Sequence, residues 1–159
     1  MKRVRFLVLV LIVLSSFLFN GCQTRSDQAS PIQLYVASWD PLVGTTHTDG
    51  TYEAQSVTIQ ASFNSDAPVF VAYAVIKEIS IEAYVGATKV SSFSVKTDFM
   101  IAANNSETFD SFPLNWTHLN SYLGSHGAVS AMTFKVFFKG EDSGGKSLLL
   151  ESEFTVMVS

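Results

Sequence analysis

Hydrophobic and polar residues alternate along most of the chain after residue 31, and this alternation predicts β-strands. The clearest case is Gln55 to Phe63, where Val57, Ile59 and Ala61 fall on one face and hydroxyl and amide side chains fall on the other. A period of two with one polar face is typical of an antiparallel strand that buries one side. The pattern predicts seven or eight strands, at 32–39, 55–63, 69–76, 79–85, 90–101, 107–114, 129–139 and 147–158. The nearly continuous apolar run at 69–76 is either a buried strand or an insertion.

Turn-forming residues separate these segments. Asp40-Pro41 closes the first strand and is followed by a polar loop at 43–53, while the glycine-rich stretch 140–145 joins the last two strands into a hairpin. The segment Asn115 to Leu123, ended by Gly124, is the one predicted helical turn. Many short strands with almost no helix predict an all-β fold, an antiparallel β-sandwich of about seven to eight strands.

The N-terminus has a different pattern. Lys2, Arg3 and Arg5 precede an apolar and small-residue stretch of 14 residues, from Phe6 to Phe19, which is typical of a signal peptide. As a helix this stretch would be about 21 Å long, shorter than a hydrocarbon core of about 30 Å, so a lasting membrane span is the weaker interpretation. We therefore predict a cleaved signal helix at 1–21, a flexible tether at 22–31 and a single domain at 32–159.

The end of that leader resembles the lipobox of bacterial lipoproteins. Its residues are Leu18-Phe19-Asn20-Gly21-Cys22, in which an apolar residue and small residues precede the cysteine. The resemblance implies a diacylglycerol thioether on Cys22, cleavage before it and acylation of the new amino group. Gln23 is not the aspartate associated with inner-membrane retention, so the outer membrane is favoured if the organism has one. Cys22 is the single cysteine of the chain, so no intramolecular disulfide can form.

Two segments of the domain resemble known β-sandwich families. The predicted closing hairpin, from Phe134 through the glycine-rich loop to Val158, resembles that of bacterial immunoglobulin-like and fibronectin type III-like modules. More faintly, Ile79 to Leu114 resembles the middle of the WHy-type sandwiches of late-embryogenesis-abundant proteins. Both resemblances imply an immunoglobulin-like arrangement of the strands.

The charge balance narrows the range of partners. Three of the ten Lys and Arg lie in the leader, so seven remain against 14 Asp and Glu, and the mature net charge is 7 − 14 = −7. Such a balance argues against nucleic acid and against anionic lipid surfaces as electrostatic partners.

One motif suggests nucleotide binding, but the residues within it and after it argue against that function. Residues Gly140 to Ser147 satisfy the phosphate-loop pattern GxxxxGK[ST]. A phosphate loop needs a helix after it, whereas Leu148 to Val158 alternates as a strand does, and Glu141 and Asp142 would repel phosphates. We therefore predict a glycine-rich hairpin turn and no nucleotide cofactor.

Metal binding and catalysis have weak candidates. The possible ligands in or near one loop are Asp40, His47, Asp49 and Glu53. Two histidines lie in another segment, His118 and His126. Their spacing matches no compact ligand motif, so no metal site is predicted, and weak calcium binding by the loop carboxylates is the alternative. No Gly-x-Ser-x-Gly motif occurs, and we predict that the protein is not an enzyme.

The aromatic residues leave two interpretations open. Trp39, Tyr52, Tyr84, Trp116 and Tyr122 either pack in or around the core, which is the commoner outcome, or form a surface cluster that stacks on sugars or peptides. The sequence thus predicts a membrane-anchored envelope lipoprotein that acts as a non-catalytic binding or structural module for a protein or glycan. An accessory subunit of an envelope assembly complex is the alternative, and a hydrolase with an unrecognised loop site is a third hypothesis.

Overall fold

The structure, a computed structural model, describes the domain that follows the predicted tether. The described residues are 30–41, 43–46, 55–64, 66, 71–110, 112, 122–126 and 129–158. Cys22, the predicted signal peptide and most of the predicted tether lie outside them. Within these ranges no helix has the length and apolar character that crossing a membrane requires.

Two β-sheets make up the domain, and they confirm the predicted all-β sandwich. The strands are β1 (Ile32–Asp40), β2 (Val43–Thr46), β3 (Ser56–Phe63), β4 (Tyr73–Val85), β5 (Thr88–Ala102), β6 (Asn105–Phe109), β7 (Ala131–Asp142) and β8 (Ser147–Val158). One sheet has the order β1-β3-β6 and the other the order β2-β8-β7-β4-β5. The last two strands form the predicted antiparallel hairpin.

The core lies between the sheets and consists of the apolar residues that the alternation predicted. Ile59 on β3, Ile81 on β4 and Phe134 on β7 are fully buried. Aromatic rings fill the centre: Trp39 stacks on Phe154 at 4.4 Å between ring centroids. Burying an aromatic side chain removes 150–250 Å² of surface from water, so these rings dominate the stability of the sandwich.

Strand β4 is longer than the sequence pattern suggested. It runs without interruption from Tyr73 to Val85, across the gap between the predicted segments 69–76 and 79–85, so Tyr73 to Ile76 belong to a strand. The pairing with both neighbouring strands shifts between Ile76 and Glu78. This bulge changes the phase of the alternation by one residue, which made one strand look like two.

One loop assignment, one helix boundary and the bounds of one strand differ from the prediction. Part of the predicted polar loop at 43–53 is strand β2, which pairs parallel with β8 from Val43↔Thr155 to Thr46↔Val158. A strand of four residues is too short for its period to be recognised. Of the helical turn predicted at 115–123, residues 115–121 lie outside the described residues. The helix described at 122–126 continues through Gly124, where the sequence predicted its end, and a glycine inside a helix costs only about 1 kcal/mol. Strand β6 begins and ends earlier than predicted, after a turn in which Asn104 has a φ of 60°.

The loop between β7 and β8 is organised by a buried carboxylate. Asp142 is 2% exposed. Its Oδ1 accepts hydrogen bonds from the backbone N–H of Gly144 at 2.8 Å and of Lys146 at 2.9 Å, and its Oδ2 accepts one from the Ser30 hydroxyl at 2.6 Å. This carboxylate therefore shapes the turn and also holds the first described residue of the chain against the domain.

Gly140 on β7 allows the close approach of β4 at the bulge, and replacing it should destabilise the fold. A Cβ at this position would lie 2.0 Å from the carbonyl oxygen of Val75. We expect Gly140→Ala to lower the free energy of unfolding by about 3 kcal/mol, since backbone atoms would have to move. Urea unfolding followed by circular dichroism measures the change.

Gly124→Ala is the matched control for that substitution. A Cβ on Gly124 would meet no atom within 4 Å, and the residue is helical. Alanine should raise the free energy of unfolding by up to about 1 kcal/mol there. A Gly140→Ala protein as stable as the native one would contradict the close packing of β4 against β7.

Candidate functional site

The outer face of the five-stranded sheet carries an open groove over β4, β5 and β7. Its volume is about 490 Å³, and it is lined by Ser80, Glu82, Ser92, Ser94, Phe137 and Lys139. In the register of the sheet, Ser80 lies opposite Ser94 on one side and Phe137 on the other. The short serine side chains leave a depression, and the Phe137 ring supplies an apolar wall.

One end of the groove is bounded by a carboxylate between two ammonium groups. Glu78 lies opposite Lys96 on β5 and Lys139 on β7, and it forms ion pairs with both. Its Oε1 also accepts a hydrogen bond of 2.9 Å from the Ser80 hydroxyl. The hydrogen bond from Lys96, followed by those from Lys139 and Ser80, lowers the pKa of Glu78 to about 2.

The other end of the groove has a second hydrogen-bonded carboxylate. Glu82 accepts a hydrogen bond of 2.6 Å from the Tyr84 hydroxyl and one of 2.9 Å from the Lys89 ammonium. The bond from Tyr84, and then that from Lys89, lowers the pKa of Glu82, while the same carboxylate raises the pKa of both partners. The Lys135 ammonium lies 5.6 Å from the centroid of the Tyr84 ring.

The electrostatics of the groove do not suit a general acid. A general acid at neutral pH needs a raised carboxyl pKa, whereas Glu78 and Glu82 are both held ionised. Charged acceptors, lysine donors and one aromatic wall can together hold a polar ligand or a peptide by hydrogen bonds and stacking.

Of the six possible metal ligands considered above, the structure describes two, Asp40 at the end of β1 and His126 in the short helix. Among the residues that it describes, no three His, Cys, Asp or Glu side chains form a group that could hold a metal ion. His47, Asp49, Glu53 and His118 lie outside the described residues. The ring of His126 stacks on that of Tyr122 at 4.1 Å, within the short helix.

The segment with the phosphate-loop pattern is a hairpin turn, as predicted. Strand β8 follows it instead of a helix. The backbone N–H groups of Gly144 and Lys146, which a phosphate would need, already donate to Asp142. This loop therefore has the wrong geometry and the wrong charge for a nucleotide.

The aromatic residues that the sequence singled out have separate environments. Trp39 is 8% exposed, and its indole N–H donates a 3.2 Å hydrogen bond to the Ser152 hydroxyl. Core packing is thus confirmed for Trp39, whereas Tyr84 lies on the outer face beside Glu82. Tyr52 and Trp116 are outside the described residues. The groove itself was missed, because Ser80, Ser92 and Ser94 look in the sequence like ordinary solvent-facing positions.

Comparisons with known proteins bear on the fold alone. No family model matches the chain. No curated protein matches it either. Among solved structures, the ApaA protein of Bordetella pertussis is similar with a TM-score of 0.50 and 12% identity, over 82% of this chain and 98% of that chain.

Two further solved structures show weaker likeness. The sporulation control protein Spo0M of Bacillus subtilis has a TM-score of 0.37 and 13% identity, over 83% of this chain and 51% of that one. A protein from Archaeoglobus fulgidus has a TM-score of 0.33 and 16% identity, over 80% of this chain and 97% of that one. Neither carries an argument about this protein.

The depressed pKa of Glu78 predicts a stabilisation that depends on pH. A carboxyl whose pKa is lowered in the folded state stabilises that state above its unfolded pKa of 4.5, and this contribution disappears as the pH falls to about 2. Glu78→Gln should therefore be less stable than the native protein at pH 7. The difference should shrink between pH 4.5 and about 2.

Urea unfolding at a series of pH values measures this difference. Glu151→Gln, which removes an exposed carboxylate from the same sheet, controls for the change in net charge. A difference between the native protein and Glu78→Gln that stays constant from pH 7 to pH 2 would contradict the ion pairing of Glu78 with Lys96 and Lys139.

Proposed function

We propose that this protein is an envelope lipoprotein, anchored by lipid on Cys22, that presents an immunoglobulin-like β-sandwich as a non-catalytic binding module for a protein or glycan. The observation that carries the proposal is the ending Leu18-Phe19-Asn20-Gly21-Cys22 behind a basic and apolar leader. A thiol at that position meets the requirement of lipid transfer at a membrane surface. Two or three acyl chains form a stable anchor, whereas one chain holds only marginally.

The ordered domain begins close to the proposed anchor. Ser30, eight residue steps after Cys22, is hydrogen-bonded to Asp142, and the Pro31 carbonyl accepts a 2.9 Å hydrogen bond from the Asn64 N–H. The domain would therefore stay near the membrane that holds the lipid. This short connection supports a module that acts at the membrane surface.

The groove on the outer face supports a role in binding. It is open to solvent and combines ionised Glu78 and Glu82, the Lys139 ammonium and the Phe137 ring. Such a mixture can hold a polar ligand or an extended peptide by charge-assisted hydrogen bonds and by stacking on the ring. We infer that the partner, whether protein or glycan, is bound there.

A second candidate function, an accessory subunit of an envelope complex, is favoured by strand β5. This strand has 15 residues, and among the strands that the structure describes it is hydrogen-bonded to β4 alone. A long edge strand can accept a strand from a partner protein by main-chain hydrogen bonds. In that case the partner would be a protein that stays associated with this chain.

Mass spectrometry of the native product tests the anchor. We expect a chain that begins at Cys22, with diacylglycerol on its sulfur and an acylated amino group, and that fractionates with the membranes. Cys22→Ser should abolish both the lipid and the processing, because serine has no thiol to form the thioether. Thr24→Ser, a conservative change two residues later, is the control. An unmodified Cys22 sulfur, or a different first residue, would overturn the proposal.

Partner capture from solubilised envelopes tests the groove. Ser94→Arg would fill the depression with a long side chain, and we expect it to reduce partner recovery by about tenfold or more, as the loss of a binding hot spot does. Met157→Arg, at a 45% exposed position where β8 pairs with Ala131 at the far end of the same sheet, is the matched control and should leave recovery unchanged. Equal recovery with both variants would show that the partner binds elsewhere.

A further inference from the structure

The chain enters the domain at one end of the sandwich, which we name the entry pole. Three elements meet there: the Ser30 hydroxyl bonds Asp142 at the β7–β8 turn, and the Ser143 N–H donates a 2.9 Å hydrogen bond to the Tyr73 carbonyl at the start of β4. The Ala103 N–H, just after β5, donates to the Ala72 carbonyl at 2.9 Å. The beginning of β4 and the end of β5 therefore lie beside the point where the chain emerges.

An apolar patch lies on the outer face of the five-stranded sheet at this pole. Its members are Tyr73, Val75, Met100 and Ala102, and the register places Tyr73 opposite Ala102 and Val75 opposite Met100. The neighbouring residues Ala74 and Ile101 are buried in the core, so these four side chains face outward. Tyr73 is 38% exposed and Met100 is 57% exposed.

The length of chain between Cys22 and Ser30 limits how far a lipid on Cys22 can lie from the patch. Eight residue steps separate Cys22 from Ser30, so their Cα atoms are at most about 29 Å apart even in a fully extended chain. The opposite end of the sheet, where Ala131 pairs with Met157, lies 11 residues away along β7, or about 36 Å. A lipid on Cys22 can therefore lie directly beside the entry pole, whereas the connection is too short to extend from Ser30 to the opposite end of the sheet.

We propose that the patch of Tyr73, Val75, Met100 and Ala102 docks on the bilayer that holds the Cys22 lipid, so that the domain contacts the membrane directly. This inference rests on the proposed lipid anchor. The lipid on Cys22 would hold the bilayer close to the patch, and the bilayer would then remove these apolar side chains from water.

The dimensions and charges of the patch fit the boundary between headgroups and acyl chains. Its two rows of side chains are two residues, or about 7 Å, apart along the strands, and interfacial segments bury about 5–10 Å. Lys77, beyond the patch along β4, is ion-paired with Asp98 at 3.6 Å and with Glu141 at 3.5 Å. Glu141 itself lies opposite Val75 on β7, so charged groups border the patch both beyond Val75 and on its β7 side. The net charge of −7 on the mature chain favours neutral over anionic lipids, and a tyrosine is well suited to an interface.

Site-specific fluorescence on the full lipidated chain tests the docking. Met100→Cys and Met157→Cys each introduce one free thiol, since the sulfur of Cys22 carries the lipid. Both positions face outward on the same sheet at opposite ends, with exposures of 57% and 45%, so they form a matched pair. Each variant is labelled with an environment-sensitive dye and reconstituted into phosphatidylcholine vesicles in which some acyl chains carry a nitroxide quencher.

We expect quenching at position 100 to exceed that at position 157 by about twofold or more, because only the entry pole would reach the acyl chains. With the dye moved to position 102, Tyr73→Ser together with Met100→Ser should reduce quenching to the level seen at position 157. Equal quenching at positions 100 and 157 in a chain that mass spectrometry shows to be lipidated would overturn the docking and leave the anchor intact. A chain without lipid on Cys22 would overturn both.

Discussion

The burial of two apolar sheet faces against each other holds this domain together. The single cysteine lies outside the domain, so no disulfide can form within it, and the described residues offer no metal group in place of one. Stability must come from side chains such as Phe134, Phe138 and Ile81, which lose all contact with water. Alternation follows from this requirement, because a strand in a sandwich can bury only every second residue.

The same alternation that fills the core also leaves every second side chain exposed on the outer face of the sheet, where it can bind other groups. Each inward-facing residue is followed by one that points to solvent, and the register aligns these outward residues across β5, β4 and β7. This alignment brings Glu78 to two lysines and Ser80 to Ser94. The bulge after Ile76 contributes as well, because it places Lys77 and Glu78 next to each other on the outer side. The groove and the apolar patch are thus consequences of strand pairing.

A structural feature could be predicted from the sequence when it depends on neighbouring residues, and could not when it depends on residues far apart along the chain. The strands and the closing hairpin were predictable, since period two and glycine-rich turns are local patterns. The short strand β2, the continuity of β4 and the continuation of the helix through Gly124 were not. A parallel pair and a bulge depend on neighbours far along the chain, and a glycine does not always end a helix. Phe112 shows the same limit: the sequence placed it within a strand, but it contacts Trp39 and Phe154 after β6 has ended.

The candidate site was less predictable than the fold for the same physical reason. Serines at positions 80, 92 and 94 become a groove only when β4 and β5 pair in one register. Cys22, by contrast, is marked by the residues directly around it, so the anchor is the part of the function that sequence alone supports best. The connection from Cys22 to Ser30 links the two proposals, a lipid on Cys22 and the docking of an apolar patch at the end of the domain that the chain enters.

The most direct test of this account is to follow processing of the chain in living bacteria while the lipoprotein signal peptidase is inhibited. If Cys22 is lipidated before cleavage, we expect a lipid-modified precursor that still carries residues 1–21 to accumulate in the membrane and the mature form to disappear. Unchanged production of the mature chain under inhibition would contradict the lipid anchor on Cys22.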